Sequence, residues 1–388
     1  MQTTQLLSTC QALLETPTAP FQERWLANTL RGLLNGVAGL SIQQDRWGNI
    51  AARLDPPSQS PAAAAEPLVL VAHMDHPGFV LDGPKRASRL LSGTFEGRVF
   101  DEYFEGSPAV RIYRTANDPG VPGRVREYSE RGGADDNRSV VIEAEEPVSE
   151  AVLAMWDVEP YALRDGLIRG RACDDLCGVA AIVEALRQLA TNPGALACPV
   201  IGLFTRAEET GFCGALLLAS SPEREAMLPL DSAVISVEIS SLRPGMSLGE
   251  GAILRVGDKA GSFDSELLGR LWGSLLGDDG MTPRLPVHRA LMDGGTCEAT
   301  AFIAQGYRSA GVCAPVVNYH NMIAERPGHV AAEVVSASDL QALSDMMVVF
   351  GRHLAPTTVH REQLRGRMEI LADRGRRRLN PGGDASSA

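Results

Sequence analysis

Three short apolar runs constrain the fold most strongly, because acidic residues or histidine stand close behind each of them. The runs span residues 68–72, 200–204 and 232–237. Each has the length and aliphatic content of a strand that is buried on both faces. Strands of this kind belong to parallel sheets whose two faces are covered by helices. The sequence therefore predicts an α/β fold with a mixed, mostly parallel sheet flanked by helices.

Polar residues that can carry chemistry stand where these strands end. The residues are His73, Asp75, Glu208, Glu209 and Glu238. Two further positions resemble them: Asp174 stands before a buried helix predicted over 179–190, and His320 lies a few residues after a strand predicted over 306–312. Because the carboxyl ends of parallel strands meet at one edge of a sheet, we expect these side chains to lie close together.

Five of these side chains form a donor set for two metal ions. Two histidines and three carboxylates suit a pair of zinc, cobalt or manganese ions better than one closed structural site. Two divalent cations, three carboxylates and one hydroxide have a net charge close to zero, which makes a partly buried site tolerable. Glu208 and Glu209 are adjacent on extended backbone and point to opposite sides, so one can bind metal while the other transfers protons.

Each of these segments alone has a simpler explanation. The two adjacent glutamates would most often form a solvated acidic loop, and a histidine at a strand end is most often a hydrogen-bonded structural residue. Asp174 and Asp175 are placed to cap the helix that follows them. The metal site is favoured because all of these features occur together.

The segment 77–163 differs from the rest of the chain. Short strand-like pieces alternate there with Gly, Pro, Asp and Asn turns, without a long helical period. The pieces are residues 89–93, 97–100, 109–113, 124–128, 140–143 and 151–156. This pattern is typical of a small β-barrel-like domain inserted into an α/β chain. We therefore expect one α/β domain in two parts, 1–76 and 164–370, and a disordered tail over 371–388.

The composition excludes several classes of protein. A net charge of −12 argues against binding the phosphate backbone of nucleic acids. No apolar stretch has the length that crosses a membrane, and the first residues lack a signal pattern. The seven cysteines show no spacing of a zinc ribbon or a disulfide framework. We therefore expect a cytoplasmic protein that binds neither nucleic acid nor membranes.

The segments that carry these residues resemble one known family. They are His73-Met74-Asp75 with Gly78, Asp174-Asp175 with Gly178, Glu208-Glu209-x-Gly211 with Gly214-Ala215, Glu238, Gly294-Gly295-Thr296 and His320. The set resembles the family-42 dinuclear metalloaminopeptidases, which include the glutamyl and tetrahedral aminopeptidases. The resemblance runs from residue 45 to about residue 325. His73 and Asp174 are 101 positions apart (174 − 73), which matches the family's habit of inserting a β-rich domain there.

The resemblance implies the fold of a zinc peptidase and a role for each residue. His73 and Glu238 would bind one metal ion, Glu209 and His320 the other, and Asp174 both. Asp75 would orient His73. Glu208 would be the general base that takes a proton from water and passes it to the departing amine. The implied activity is an aminopeptidase acting on peptides, with Glu298 as a candidate for binding the free amino terminus. The resemblance also implies a homo-oligomer that assembles through the inserted domain.

Several positions depart from the family pattern. Glu238 stands where Asp is usual, His76-Pro77 replaces an acidic-aliphatic pair, Leu176 replaces Arg, and Asn321-Met322 replaces a small hydroxyl residue. The alternatives are therefore a related amidohydrolase, namely a carboxypeptidase, dipeptidase or N-acyl-amino-acid deacylase, and a metal-binding homologue without catalysis. The presence of Glu208, which is not needed as a ligand, counts against the second alternative.

Overall fold

The computed structural model describes residues 2–84, 86–129, 138–277, 282–354 and 357–379. The helices are α1 (Gln2–Leu14), α2 (Arg24–Leu34), α3 (Cys173–Ala190), α4 (Cys213–Ala219), α5 (Ser265–Leu275), α6 (Glu298–Ala304), α7 (Ala337–His353) and α8 (Thr357–Leu379). The strands up to the end of the inserted segment are β1 (Leu40–Gln44), β2 (Ile50–Leu54), β3 (Leu68–His73), β4 (Gly78–Leu81), β5 (Ser88–Glu96), β6 (Ala109–Tyr113), β7 (Val121–Tyr128), β8 (Arg138–Val148) and β9 (Leu153–Trp156). The later strands are β10 (Tyr161–Arg164), β11 (Leu167–Gly170), β12 (Val200–Thr205), β13 (Ala233–Ser241), β14 (Ala252–Gly257), β15 (Val287–Leu291), β16 (Arg308–Val317) and β17 (Glu333–Ser336).

The main sheet is mixed and has its parallel strands at the centre. Its order is β1-β2-β12-β3-β13-β16-β17-β11-β10, with β14 on β16 and β15 on β14. Strands β12, β3, β13 and β16 are parallel neighbours, whereas the outer pairs at both ends of this order are antiparallel. Their three apolar runs are buried, which confirms the predicted sheet flanked by helices.

Alternating residues of the central strands pack against two separate layers of helices, one on each face of the sheet. In β3, Leu68, Leu70 and Ala72 belong to the core that α1, α3 and α7 cover. Val69 and Val71 belong to the opposite core, under α4 and α6. This is the period of two that a strand imposes when both of its faces are covered. The sheet edge at the carboxyl ends of these strands is therefore held rigidly from both sides.

The inserted segment forms a closed barrel of antiparallel strands in the order β4-β5-β8-β7-β6-β9, which confirms the β-barrel-like insertion. Its core contains the aromatic residues Phe79, Phe95, Phe104 and Trp156, with Phe79 and Trp156 edge to face at 4.9 Å between ring centroids. The barrel ends at Trp156, because the next strand, β10, pairs with β11 in the main sheet.

The structure differs in three details from what the sequence predicts. Residues 97–100 form no strand. The strands β14 and β15 and the helix α5, between residues 252 and 291, were not predicted. The tail expected to be disordered from residue 371 is helical as far as Leu379, and its remaining residues, 380–388, lie outside the described ones. Among the described helices, none is long and apolar enough to cross a membrane.

Candidate metal centre

The sheet order brings the predicted site residues together. β3 lies between β12 and β13, so His73 at the end of β3 is flanked by the Glu208–Glu209 turn after β12 and by Glu238 within β13. Asp174 enters from the first turn of α3, where its backbone is not helical (φ −84°, ψ 108°). His320 follows β16, the other parallel neighbour of β13.

The ligand atoms form two groups that share Asp174. One group is His73, Asp174 and Glu238, and the other is Asp174, Glu209 and His320; the ligand atoms of each group lie within 4.8 Å of one another. The two carboxylate oxygens of Asp174 face different histidines, with Oδ1 3.6 Å from His73 Nε2 and Oδ2 3.5 Å from His320 Nε2. Glu208 and Glu209 form a third group with His73. All the residues expected from the sequence to bind metal are thus in one cluster.

Buried polar atoms without hydrogen-bond partners show that this cluster fits metal ions. Asp174 Oδ1, Glu209 Oε1 and His320 Nε2 are buried, and none makes a hydrogen bond of normal geometry within the described part of the chain. Glu209 Oε1 and His320 Nε2 lie only 3.1 Å apart, as two ligands of one ion would. An unsatisfied buried polar atom costs about 1–3 kcal/mol. Nitrogen and carboxylate oxygen atoms in this arrangement are donors for zinc and similar cations. The residues can therefore hold such ions.

The charges of the cluster shift the pKa values of its members. Burial would lower the pKa of His320, but Glu209 and Asp174 beside it raise that pKa well above the ordinary value. Burial raises the pKa of Glu208 well above its ordinary value, and it raises that of Glu238 to about 7. Burial would also raise the pKa of Asp174, but the neighbouring imidazoles of His320 and His73 hold that pKa below its usual range. The raised pKa values keep protons on these carboxyl groups, and cations bound in the cluster would displace those protons.

Backbone carbonyls orient the two histidines. His73 Nδ1 donates to the carbonyl of Asp75 at 3.1 Å, and His320 Nδ1 donates to the carbonyl of Arg98 at 2.9 Å. Each ring therefore directs Nε2 into the cluster. Arg98 lies in the inserted segment, so the barrel contributes directly to the placement of one histidine. No sequence signal marks this contact, because every residue has a backbone carbonyl that can accept a hydrogen bond.

Asp75 has a different set of contacts from the one expected. Its carboxylate is 3.6 Å from His73 Nδ1, beyond a normal hydrogen bond. The same carboxylate accepts the backbone N–H of Glu208 (2.9 Å) and of Glu209 (3.1 Å). Asp75 therefore fixes the turn that presents the two glutamates, while its carbonyl oxygen orients His73.

Glu333 is a buried residue of the site that sequence reasoning missed. One carboxylate oxygen accepts the N–H of Asp174 at 3.0 Å and the other accepts the N–H of His320 at 2.8 Å. The side chain is fully buried, and it joins two ligand-bearing segments that are far apart in the chain. The available signal was an acid at the start of the apolar strand β17.

Two positions that depart from the family pattern contact each other. His76 Nδ1 donates to the carbonyl of Asp174, and His76 Nε2 lies 3.1 Å from Asn321 Oδ1. Both side chains are buried. The changes at these positions, 245 residues apart, are thus parts of one contact that links the turns of His73, Asp174 and His320.

A small cleft begins at Glu238 and contains two arginines. Its lining includes Glu238, Tyr319, Arg243 and Arg255. Arg243 pairs with Asp293. Arg255 is only 3% exposed; its Nη1 donates to Ser240 Oγ at 3.3 Å, and its Nε has no hydrogen-bond partner among the residues described. A buried guanidinium of this kind is a candidate site for an anionic group of a ligand.

Glu298 lies at the start of α6 and is fully buried. Burial raises its pKa to about 8, although the nearby His73 acts in the opposite direction. Its contact with a substrate amino terminus stays a prediction. All seven cysteines are free thiols.

Comparison with known proteins identifies the family. The sequence profile described as M42 glutamyl aminopeptidase matches residues 48–346, whereas no curated protein sequence matches. The chain is similar to the TET1 peptidase of Pyrococcus horikoshii (18% identity, TM-score 0.69, 90% of this chain and 100% of that chain). It is also similar to an aminopeptidase of the archaeon Desulfurococcus kamchatkensis (18%, 0.70, 93% and 98%) and to a TET aminopeptidase of a marine sediment archaeon of the Thaumarchaeota (16%, 0.71, 91% and 98%). At these identities the solved structures support the fold, while the profile spans most of the chain. The chain therefore belongs to the M42 glutamyl aminopeptidase family and is a peptide-bond hydrolase.

Proposed function

We propose that the protein is a dinuclear metal-dependent aminopeptidase that removes the first residue of short peptides. The observation that carries this proposal is the shared position of Asp174 between two groups of ligand atoms. His73 and Glu238 would hold one divalent ion, Glu209 and His320 the other, and Asp174 both. Zinc is the expected metal, with cobalt or manganese as alternatives, because the donors are imidazole and carboxylate.

Glu208 is the proposed general base. When bound, the two ions lower the pKa of a water molecule and polarise the scissile carbonyl. Glu208 Oε2 lies 3.9 Å from His73 Nε2, at the edge of the cluster, and its backbone N–H is held by Asp75. Burial raises the pKa of Glu208, which suits a carboxylate that accepts a proton from water and returns it to the departing amine.

The cleft beside Glu238 supports a preference for a negatively charged first residue. Arg255 is buried there, and a buried guanidinium can bind a carboxylate through charge-assisted hydrogen bonds. The family description names glutamyl substrates. We therefore propose that Arg255 binds the side-chain carboxylate of an amino-terminal Glu or Asp.

A peptide panel tests the activity and its mechanism. Zinc-reconstituted protein is assayed on peptides with free and N-acetylated amino termini, together with Glu208→Gln. We expect cleavage of free amino termini only, and a variant that binds two metal ions but is at least about a hundredfold slower. Equal cleavage of acetylated peptides would favour the deacylase or carboxypeptidase alternative. Two bound metals without any cleavage would favour the non-catalytic homologue.

The preference is tested with the tripeptide amides Glu-Ala-Ala-NH2, Gln-Ala-Ala-NH2 and Leu-Ala-Ala-NH2. We expect kcat/KM for Glu to exceed that for Gln by about tenfold or more, because one charged contact is worth a few kcal/mol. Arg255→Met should remove this difference, whereas Arg243→Met, in the same cleft but paired with Asp293, should largely keep it. If wild type cleaves Glu and Gln equally but prefers dipeptides with a free carboxylate, Arg255 binds the other end of the substrate and the protein is a dipeptidase.

We also propose that the protein is a homo-oligomer that assembles through its barrel. Leu90 and Phe100 are large apolar side chains of the inserted segment that are strongly exposed, at 60% and 63%. The similar peptidase of P. horikoshii is described as assembling into a tetrahedron or a large octahedral shell. Native mass spectrometry of wild type and of Leu90→Asp/Phe100→Asp tests this; an unchanged mass would exclude these residues from the interface. A cytoplasmic location stays a prediction.

A further inference from the structure

Glu23 lies just before α2, far in sequence from the metal ligands, and contacts the turn that carries Glu208. The side chain is fully buried. Its Oε1 accepts the backbone N–H of Ala207 at 2.9 Å, and its Oε2 accepts Nε of Arg206 at 2.6 Å. Glu23 therefore holds both residues that directly precede Glu208, Arg206 through its side chain and Ala207 through its backbone N–H.

The backbone at Ala207 needs this support. Ala207 has φ +51°, a left-handed conformation that costs a residue with a Cβ about 1–2 kcal/mol. Such a conformation persists where surrounding contacts specify it. The left-handed residue directly precedes Glu208 and sets the direction in which the chain presents its carboxylate.

Three side chains from three segments bind four consecutive N–H groups of this turn. Asn49 Oδ1 accepts the N–H of Arg206 (3.1 Å), Glu23 that of Ala207, and Asp75 those of Glu208 and Glu209. Asp75 follows the ligand His73 closely, whereas Glu23 belongs to the amino-terminal helices. The turn is thus fixed both by Asp75, next to a proposed metal ligand, and by Glu23 from the amino-terminal part of the chain.

The contact between Glu23 and Arg206 is an ion pair, so it depends on the negative charge of Glu23. The guanidinium of Arg206 also donates to the carbonyls of Trp47 (2.8 Å) and Phe21 (2.8 Å). It therefore connects the loop before α2 with the turn between β1 and β2. Gln at position 23 would keep an acceptor for the N–H of Ala207 but would lose the ion pair that orients the guanidinium of Arg206.

The geometry points to Glu23 as a positioning residue for catalysis: through Ala207 and Arg206 it fixes the carboxylate of Glu208 where it accepts the proton of the attacking water. This inference rests on the proposed role of Glu208 and adds a residue that binds neither metal nor substrate. It predicts that changes at Glu23 lower kcat while KM and metal content stay nearly unchanged, because the ligands and the cleft are held by other contacts.

The test is a double-mutant cycle in the zinc-reconstituted full chain. Glu23→Gln, which keeps the acceptor for Ala207, and Glu23→Ala are each combined with Glu208→Asp. We expect kcat to fall about tenfold for Gln and up to about a hundredfold for Ala, since small misplacement of a catalytic group has effects of this size. In the Glu208→Asp background, where the base is already displaced, the same changes should lower kcat by less than about threefold.

Asp339→Asn is the matched control. Asp339 is also a buried acid that accepts two backbone N–H groups, those of Gly249 and Gly251, both at 2.7 Å. We expect this variant to lower the melting temperature as Glu23→Gln does, with kcat unchanged. If the Glu23 effects multiply fully with Glu208→Asp, or if metal content falls in parallel with kcat, Glu23 has only a structural role and the inference is wrong. If Glu208→Asp itself leaves kcat unchanged, the proposed base is wrong instead.

Discussion

The two halves of the proposed metal centre, one with His73 and the other with His320, are held in different ways. His73 ends a strand that is buried on both faces, and the residue that orients its ring, Asp75, is two positions away. His320 is oriented by Arg98, 222 positions away in the inserted segment, and its N–H is bound by Glu333 of β17. One half is therefore specified by local sequence and the central sheet, while the other depends on contacts between distant segments. The second half should be the easier one to disturb.

The largest effect is expected from Glu333→Gln. The amide keeps one acceptor, so either Asp174 or His320 loses the partner of its backbone N–H, and a buried unsatisfied donor costs about 1–3 kcal/mol. Asp174 belongs to both groups of ligand atoms, whereas His320 belongs only to the group with Glu209. We therefore expect the ion proposed at Glu209 and His320 to lose more affinity than the other, at least about tenfold, and kcat at limiting zinc to fall with it. Metal analysis after dialysis against increasing concentrations of a chelator measures how tightly each of the two proposed ions is bound.

Glu184→Gln is the control for that change. Glu184 is a similarly buried acid in α3, where it contacts Arg187 and Gln188 rather than a metal ligand. We expect two metal ions and near-normal kcat in this variant. Equal weakening of both ions in Glu333→Gln would show that the two halves do not differ as described.

A smaller effect is expected from Gly97→Ala, next to Arg98. Gly97 has φ +112°, and an added Cβ would lie 2.8 Å from Cβ of Pro77, so the chain must move. We expect the carbonyl of Arg98 to shift away from His320, and the affinity for the ion proposed at Glu209 and His320 to fall severalfold. Gly106→Ala is the matched control in the same segment, since Gly106 also has positive φ (+70°) but no atom within 4 Å of an added Cβ. If both variants weaken metal binding equally, the effect comes from backbone strain in the barrel and not from Arg98.

The same contrast explains what the sequence could predict. The strand ends with His73, Glu208 and Glu238 were predictable, because apolar runs of fixed length place the following residues at one sheet edge. The groups that hold these residues were not: Glu23 and Glu333 act on backbone N–H groups, and Arg98 acts through its carbonyl. Such contacts join segments that are distant in the chain and have no periodic pattern. The strand β14, which carries Arg255, was missed for a related reason, since it lies in a region rich in glycine turns.

The smallest effect is expected at the half with His73, from the buried carboxyl of Glu298. Its pKa is about 8 in the folded chain and close to 4.5 when unfolded. Between these values the folded state holds a proton that the unfolded state has released, so stability falls as pH rises from about 4.5 to 8 and is constant beyond either limit. Glu298→Gln removes this contribution.

We therefore expect the melting temperature of metal-free Glu298→Gln to rise relative to that of metal-free wild type as the pH is raised from 5 to 9. The comparison is made as a difference, because Glu23 and Glu238, with pKa values of about 7, shift the stability of both proteins in the same direction. Scanning fluorimetry across this range measures it. If the difference in melting temperature is the same at every pH, Glu298 is already ionised in the folded chain. The half of the site with His73 would then contain a buried carboxylate charge at Glu298.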